Sequence, residues 1–362
     1  MIWKEKARFL ITVVGVGFSV MLMMFLSGVY EGVKKGATSY VSNSPTEIWI
    51  CQSNSTNLLR SSSFLNSSLQ YEIQRVDGID EVTMVLRVLA TTKINDKLVT
   101  LFVFGFDPKS NLGVPMTLVQ GTSAIGSGEI ILDKAFAAKH NLTPGDTLQI
   151  KGKNFRLSGI CEGTNAIVAQ FAFATLEDAQ RLLGLPDIVS FFLLTTDGKK
   201  NREVIMDSLR QRFPTLAVFS KEEFIQNNLE EMATGVLPIL GTITLFGVII
   251  GTAVITLMLY GSVLEKREEY ALLKAIGASQ KFLVWLVLRQ SLLLATVGFA
   301  FGLLLDWIAA PVLIKFVPEI TLFFTWRAAA TVFVLSLSIG TLGAWAPIHK
   351  LSRIYPAEVF RA

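Results

Sequence analysis

Polarity along this chain changes on two length scales. Phe9 to Tyr30, Met232 to Leu264, Phe282 to Leu305 with Arg289 inside, and Ala328 to Ile348 are long apolar runs. An apolar run of about 18 residues or more predicts a helix able to cross the hydrocarbon of a bilayer. The long stretch between the first and second runs has ordinary globular composition. The pattern therefore predicts an α+β membrane protein with four transmembrane helices and a large extracytoplasmic domain inserted between the first two. The expected boundaries are an amphipathic lead with the first span over 1–33, the external domain over 34–231 and the second span over 232–264. A cytoplasmic connector follows over 265–279, the third span over 280–305, an external loop over 306–327, the fourth span over 328–348 and a tail over 349–362.

Inside the insert the period shortens. Glu47 to Cys51 reads as a strand and Ser67 to Val76 as a helix, while Val82 to Thr92 and Leu98 to Phe106 form a hairpin turned at Asn95-Asp96. Thr175 with Asp178 and Ser220 with Glu223 fit the capping-box spacing and should start helices. Strand Ile188 to Thr195, helix Asn201 to Phe213 and strand Leu216 to Phe219 lie between them. Strand and helix units at both ends imply one α+β lobe assembled from separated pieces. The β-rich middle, about 111–163, is expected to be a second lobe, and Ser53 to Ser68 is a polar loop.

The connector between the second and third spans reads Glu265-Lys-Arg-Glu-Glu-Tyr-Ala-Leu-Leu-Lys-Ala-Ile-Gly-Ala-Ser279. Its ionic start and partly apolar end predict a short helix. Gly277 can stop it in the left-handed conformation and Ser279 can cap the next helix. A solvated connector and a docking surface both fit this pattern. Within the spans, Gly247 and Gly251 have the small-xxx-small spacing that permits close helix packing. Arg289 and Gln290 are polar groups inside a span, which marks a functional contact or, for Arg289, a side chain snorkelling to the headgroups.

Composition supports the membrane reading, with 51% hydrophobic and 17% charged residues and a mean hydropathy of +0.50. Lys4, Lys6 and Arg8 precede the first span, Lys266, Arg267, Lys274 and Lys281 follow the second, and Lys350, Arg353 and Arg361 follow the fourth. The positive-inside rule then places both termini in the cytoplasm and the insert outside. These basic flanks supply much of the net charge of +4 and leave no need for a nucleic-acid partner. The first apolar run is longer than a usual signal-peptide core and lacks a small-residue cleavage site after it, so it reads as a retained span. Cys51 and Cys161 both fall in the insert; an oxidising compartment permits a bridge, but their isolation from any Cys-x-x-Cys pair favours two buried, inert thiols.

Several chemistries are excluded. Gly121 to Ser127 imitates the glycine spacing of a phosphate-binding loop but lacks its lysine. The two histidines, His140 and His349, fall on opposite sides of the membrane, so they cannot join in one triad or zinc site within a chain. The reading is a non-enzymatic chain with no metal and no cofactor of its own.

The Glu265–Ser279 stretch resembles the signature of MacB/FtsX-type ABC transporter permeases, approximately Glu-Arg-x-Arg-Glu-Ile-Gly-Ile-Leu-Arg-Ala-Ile-Gly-Ala-Ser. Glu265, Glu269, Leu272, Leu273, Ala275, Ile276, Gly277, Ala278 and Ser279 fit it, Lys266 and Lys274 replace arginines, and Glu268 reverses a basic position. The ending from Pro347 through Arg353, Pro356, Glu358 and Phe360 is similar to the family's closing motif. Ile48-Trp49-Ile50, Arg60 to Phe64 and Leu283-Val-Trp285 resemble the branch of heterocyst-glycolipid (DevC-like) and haem exporter permeases, where Glu often stands at the position of Gln290.

This resemblance implies the permease subunit of a MacB-like, type VII ABC transporter in the inner membrane. It would work as a dimer, most simply a homodimer, beside a separate ATPase that carries ATP and Mg. A membrane-fusion adaptor and an outer-membrane channel are further implied partners. Glu265 to Ile276 would be the coupling helix, and the cargo a hydrophobic or amphiphilic molecule such as a lipid, glycolipid, haem or drug. The alternatives within the resemblance are an FtsX-like scaffold controlling a cell-wall hydrolase and a lipoprotein-release permease.

Overall fold

The computed structural model describes residues 2–59, 62–94, 97–115, 117–164, 170–235, 237–318 and 322–352. The expected turn at Asn95-Asp96, Arg60 of the branch motif and the closing motif from Arg353 onward lie outside these residues, as do the side chains of the lead from Ile2 to Arg8. The elements in chain order are α1 (Ile2–Asn43), β1 (Ile48–Gln52), β2 (Leu65–Asn66), α2 (Leu69–Gln74), β3 (Ile79–Ile94), β4 (Lys97–Phe106), β5 (Leu118–Gly121) and β6 (Glu129–Asp133). They continue with α3 (Lys134–His140), β7 (Thr147–Ile150), β8 (Lys153–Cys161), β9 (Phe171–Thr175), α4 (Leu176–Leu183), β10 (Ile188–Val189), β11 (Phe191–Thr196) and α5 (Arg202–Arg212). The last are β12 (Leu216–Ser220), α6 (Lys221–Gly235), α7 (Leu237–Glu265), α8 (Arg267–Ala275), α9 (Gln280–Phe316) and α10 (Trp326–Ser352).

The chain divides into two units, one from Gly32 to Val236 with Phe316–Thr321, the other comprising the remaining segments. In the first, one sheet runs in the order β12-β1-β11-β3-β4-β9-β6-β8-β5, with β7 bridging β3 and β8. β4 pairs parallel with β9 and β6 parallel with β8, the other pairs being antiparallel. The piece expected as a second lobe, 111–163, is therefore not separate. β9 joins β4 to β6, and β7 returns to β3 at Thr92–Ile150, so the strands close on themselves around Val88, Val103, Leu132, Phe155 and Leu157. The cause is the length of β3, 16 residues, which carries both sets of strands.

Helix starts in this unit follow local chemistry. The Thr175 hydroxyl accepts from Asp178 N and caps α4. At α6 the box is reciprocal: Glu223 N donates to Ser220 Oγ at 3.1 Å and Ser220 N donates to Glu223 Oε2 at 2.8 Å. α1 runs beyond the expected end of the first span at 33. Lys34 and Lys35 do not stop it, because Ala37, Tyr40 and Val41 extend the apolar period and are buried in the external core.

The other unit is built on four helices long and apolar enough to span a membrane among the described residues: Phe9–Asn43, Pro238–Glu265, Gln280–Phe316 and Trp326–Lys350. α9 continues past the expected boundary at Leu305. Asp306 is followed by Trp307-Ile-Ala-Ala and no stop signal, and the helix carries Pro311 within it. The tight approach is between α1 and α9. A Cβ on Gly298 would stand 2.5 Å from Val16 Cγ1, and one on Gly302 would stand 2.7 Å from Gly17 O. Gly298 and Gly302 thus carry the small-xxx-small contact. Gly251 sits 3.3 Å from Ser19 and Gly247 3.5 Å from Met23 by the same measure, which places both on the face of α7 turned to α1. Ser291 Oγ donates to Gly340 O at 2.5 Å and Ser336 Oγ to Ala295 O at 3.0 Å, tying α9 to α10.

Candidate coupling site

The connector between α7 and α9 is built from three local decisions. α7 ends at Glu265, and Lys266, with φ −93° and ψ 20°, turns the chain before α8 starts. Glu268 and Glu269 stand in the first turn of α8 and Lys274 in its last, the charge order that suits the helix dipole. Gly277 adopts φ +98°. Its N–H reaches Lys274 O at 3.1 Å while Ala278 N–H reaches Leu273 O at 2.9 Å, so α8 closes in a Schellman motif. Ser279 then caps α9, its Oγ accepting from Phe282 N at 3.2 Å.

The faces of α8 differ sharply. Tyr270 and Ala271 are buried in the core shared with Val263, Leu283, Val287 and Ala344, with Leu273 packed at its margin. Burial pushes the Tyr270 phenol above its ordinary pKa. On the other side, Glu265, Arg267, Glu268, Glu269 and Ala275 are exposed, Lys266 and Lys274 are half-buried, and Leu272 and Ile276 are 53% and 73% exposed. Glu268, Leu272 and Ile276 follow one another at i, i+4 spacing and so share a face. Two apolar side chains thus stand out beside an acidic one, on a helix held down by its opposite face. Tyr270 is the residue that sequence reasoning passed over; its signal was an aromatic ring placed inside a charged run.

Arg289 and Gln290 are exposed on α9, where the guanidinium carbon lies 5.2 Å from the Trp285 ring centroid.

A second set of residues matters at the other end of the first spans. Tyr40 on α1 donates its hydroxyl to Gly113 O at 2.8 Å and packs against Phe104, Phe173 and Trp49, at centroid distances of 5.1, 5.6 and 6.2 Å. Trp49 stacks on Phe224 of α6 at 4.9 Å. The helix that enters the external domain and the helix that leaves it are thus joined through one aromatic chain. Packing holds it, since Trp49 Nε1 is buried with no hydrogen-bond partner. Lys221 Nζ adds a 2.7 Å bond to Ser44 O. Sequence reasoning missed Tyr40 because it ended the first helix too early.

Cys51 and Cys161 are both free and buried, and burial pushes each thiol up to about 12. Cys51 Sγ donates to Ser55 O at 2.9 Å.

Comparison with known proteins gives the family of the chain. Residues 9–212 match the MacB-like periplasmic core domain family and residues 241–356 the FtsX-like permease C-terminal family. The chain is 26% identical to the "Putative hemin transport system permease protein HrtB" of Staphylococcus haemolyticus over 98% of its own length and 97% of that protein's. It is 25% identical to the "Macrolide export ATP-binding/permease protein MacB" of Salmonella typhimurium over 54% of this chain, spanning only 30% of that longer protein. The crystal structure of the periplasmic region of MacB from Actinobacillus actinomycetemcomitans aligns at 14% identity with a TM-score of 0.40, covering 51% of this chain and 92% of that one. With apolar helices on either side of an α+β domain and both family matches in the expected order, the chain is a multi-pass membrane protein that belongs to the MacB/FtsX-like ABC transporter permeases.

Proposed function

We propose that this chain is the permease of a mechanotransmission exporter, receiving work from a separate ATPase at α8 and passing it to the external domain. The observation that carries the reading is the two-faced α8: Tyr270 and Ala271 anchor it, while Leu272 and Ile276 stand exposed. In a lone chain an exposed apolar pair gains nothing. Against a partner it buries area worth roughly 25 cal/mol per Å² before the costs of association. ATP and Mg belong to that partner, and Glu265, Arg267, Glu268 and Glu269 supply charges for its orientation.

Closure of two ATPase copies on a permease dimer would tilt α8 and hence α7 and α9. The aromatic joint of Tyr40, Trp49 and Phe224 would transmit the movement of α1 and α6 into the external sheet. The orientation follows the basic flanks: termini and α8 in the cytoplasm, the sheet outside, in the inner membrane. A hydrophobic or amphiphilic cargo fits this arrangement, in keeping with the hemin named for one relative and the macrolide named for another. A membrane-fusion adaptor on the external domain would complete a tripartite path.

The test is co-purification with the partner ATPase. Combined Leu272→Glu and Ile276→Glu should lower ATPase recovery at least about 10-fold, equal to about 1.4 kcal/mol. Charge reversal at Glu265, Arg267 and Glu269 should do the same. Recovery and export equal to the unmodified protein would remove α8 from the coupling path.

A further inference from the structure

The spanning unit contains a cavity of about 880 Å³ lined by Met24 of α1, Trp307, Pro311 and Ile314 of α9, Phe324, and Trp326 of α10. Asp306 also lines it. That side chain is 3% exposed, and its Oδ1 has no hydrogen-bond partner. Apart from Thr325, the other described lining residues are apolar or aromatic. Buried carboxylates are costly unless a cation or donors meet them, and Oδ1 of this one meets none among the described residues.

Its depth identifies what could meet it. Asp306 lies about 39 Å along α9 from Gln280, at 1.5 Å per residue. The hydrocarbon core is about 30 Å thick, so on the orientation proposed above Asp306 stands at the outer headgroup level. Trp307 and Trp326, 77% and 86% exposed, sit beside it as interfacial tryptophans do. A carboxylate at headgroup depth, two lining tryptophans and the apolar side chains of Met24 and Leu303 on the membrane side form a receptor for an amphiphile with a cationic head. The orphaned oxygen adds a requirement: it needs a hydrogen-bond donor. A primary ammonium provides three, whereas a quaternary ammonium provides none. Indole faces attract either cation, so Asp306 is what would discriminate.

We propose that this cavity binds the primary ammonium head of an amphiphile, with Asp306 Oδ1 as the acceptor and the acyl or alkyl part against Met24 and Leu303. The same chemistry is offered by an aminophospholipid headgroup and by a free lipophilic amine. The proposal rests on the membrane-spanning orientation, not on coupling through α8, so it is read by binding to the permease without any ATPase.

Full-length protein in neutral detergent would be equilibrated with equimolar phosphatidylethanolamine and phosphatidylcholine of identical chains, and retained lipid measured by native mass spectrometry. Phosphatidylethanolamine should be retained about 10-fold over phosphatidylcholine, the scale of one charge-assisted hydrogen bond. Dodecylamine should bind, and dodecyltrimethylammonium should not compete with it. Displacement of dodecylamine by phosphatidylethanolamine identifies the lipid as the source; binding of dodecylamine that the lipid leaves untouched identifies the free amine. Asp306→Leu, which removes the acceptor, should erase the primary-amine preference with unfolding unchanged. Where that variant fails to fold, Ala329→Phe fills the cavity while leaving Asp306 in place, and should abolish dodecylamine binding. Equal retention of both lipids with no dodecylamine binding would overturn the proposal, as would a preference that survives Asp306→Leu or dodecylamine binding that survives Ala329→Phe.

Discussion

The aromatic joint in the external domain and the α8 connector solve opposite problems with similar residues. At the joint, Tyr40, Trp49 and Phe224 are buried and packed ring on ring. At α8 the large apolar side chains Leu272 and Ile276 are held out, while Tyr270 and Ala271 turn inward with Leu273 at the core's margin. One region is packed within the chain and the other stands exposed. On the proposed function both are needed: a joint stiff enough not to dissipate movement, and a surface whose energy is released only on docking.

The sharpest contrast lies in thiol reactivity. Burial pushes Cys51 and Cys161 from the ordinary thiol pKa of 9.0 to about 12, so at pH 8 their thiolate fraction falls about 1000-fold, at ten-fold per pKa unit. Maleimide should label them that much more slowly in the native protein than after denaturation, whereas Ile276→Cys should label at the rate of a free thiol. Because the native pKa is raised, these thiols favour folding fully below pH 9.0. That contribution is lost as the pH rises from 9.0 through about 12. Rapid native labelling of Cys51 or Cys161 would refute the tight joint.

Stability separates the regions next. Trp49→Ala should cost about 3–5 kcal/mol in chemical unfolding of the external domain followed by circular dichroism, while Ile276→Glu should change stability by no more than about 0.5 kcal/mol. A small loss at Trp49 would mean the joint can relax. The finest adjustment is at Gly277, where φ is +98°: Gly277→Ala should cost about 1 kcal/mol. It should also lower export more than ATPase binding, because it alters the departure of α9 and leaves Leu272 and Ile276 in place. Equal losses in both assays would assign Gly277 to docking alone.

The architecture was largely legible from the sequence because its signals are local. Apolar runs mark the spans, Thr175 and Ser220 cap α4 and α6, and Gly277 closes α8. What escaped depends on distant partners. The turn of β7 onto β3 through Thr92–Ile150 joins residues far apart in the chain, so the middle strands read as a separate lobe. The extension of α1 to Tyr40 was hidden by Lys34 and Lys35, whose charges suggested an end where the helix only leaves the lipid. Asp306 looked like the first residue of a loop for the same reason, and its burial in α9 could be seen only with α1 and α10 in place. At the coupling site the charged run and Gly277 were visible, but Tyr270, which decides which way α8 faces, was not.

Glu268 sharpens the contrast further. In α8 it is favoured by the helix N-terminus, so its departure from the family pattern costs the permease nothing locally. Its ATPase should present a basic residue opposite.

The most direct measurement uses Ile276→Cys in the full chain, with maleimide labelling followed before and after the partner ATPase is added. The account predicts at least about 10-fold protection, corresponding to about 1.4 kcal/mol of occlusion, for Ile276→Cys and none for an external control such as Ser208→Cys. Unchanged labelling of Ile276→Cys in a complex shown by co-elution to have formed would contradict the claim that α8 is where this permease receives its work.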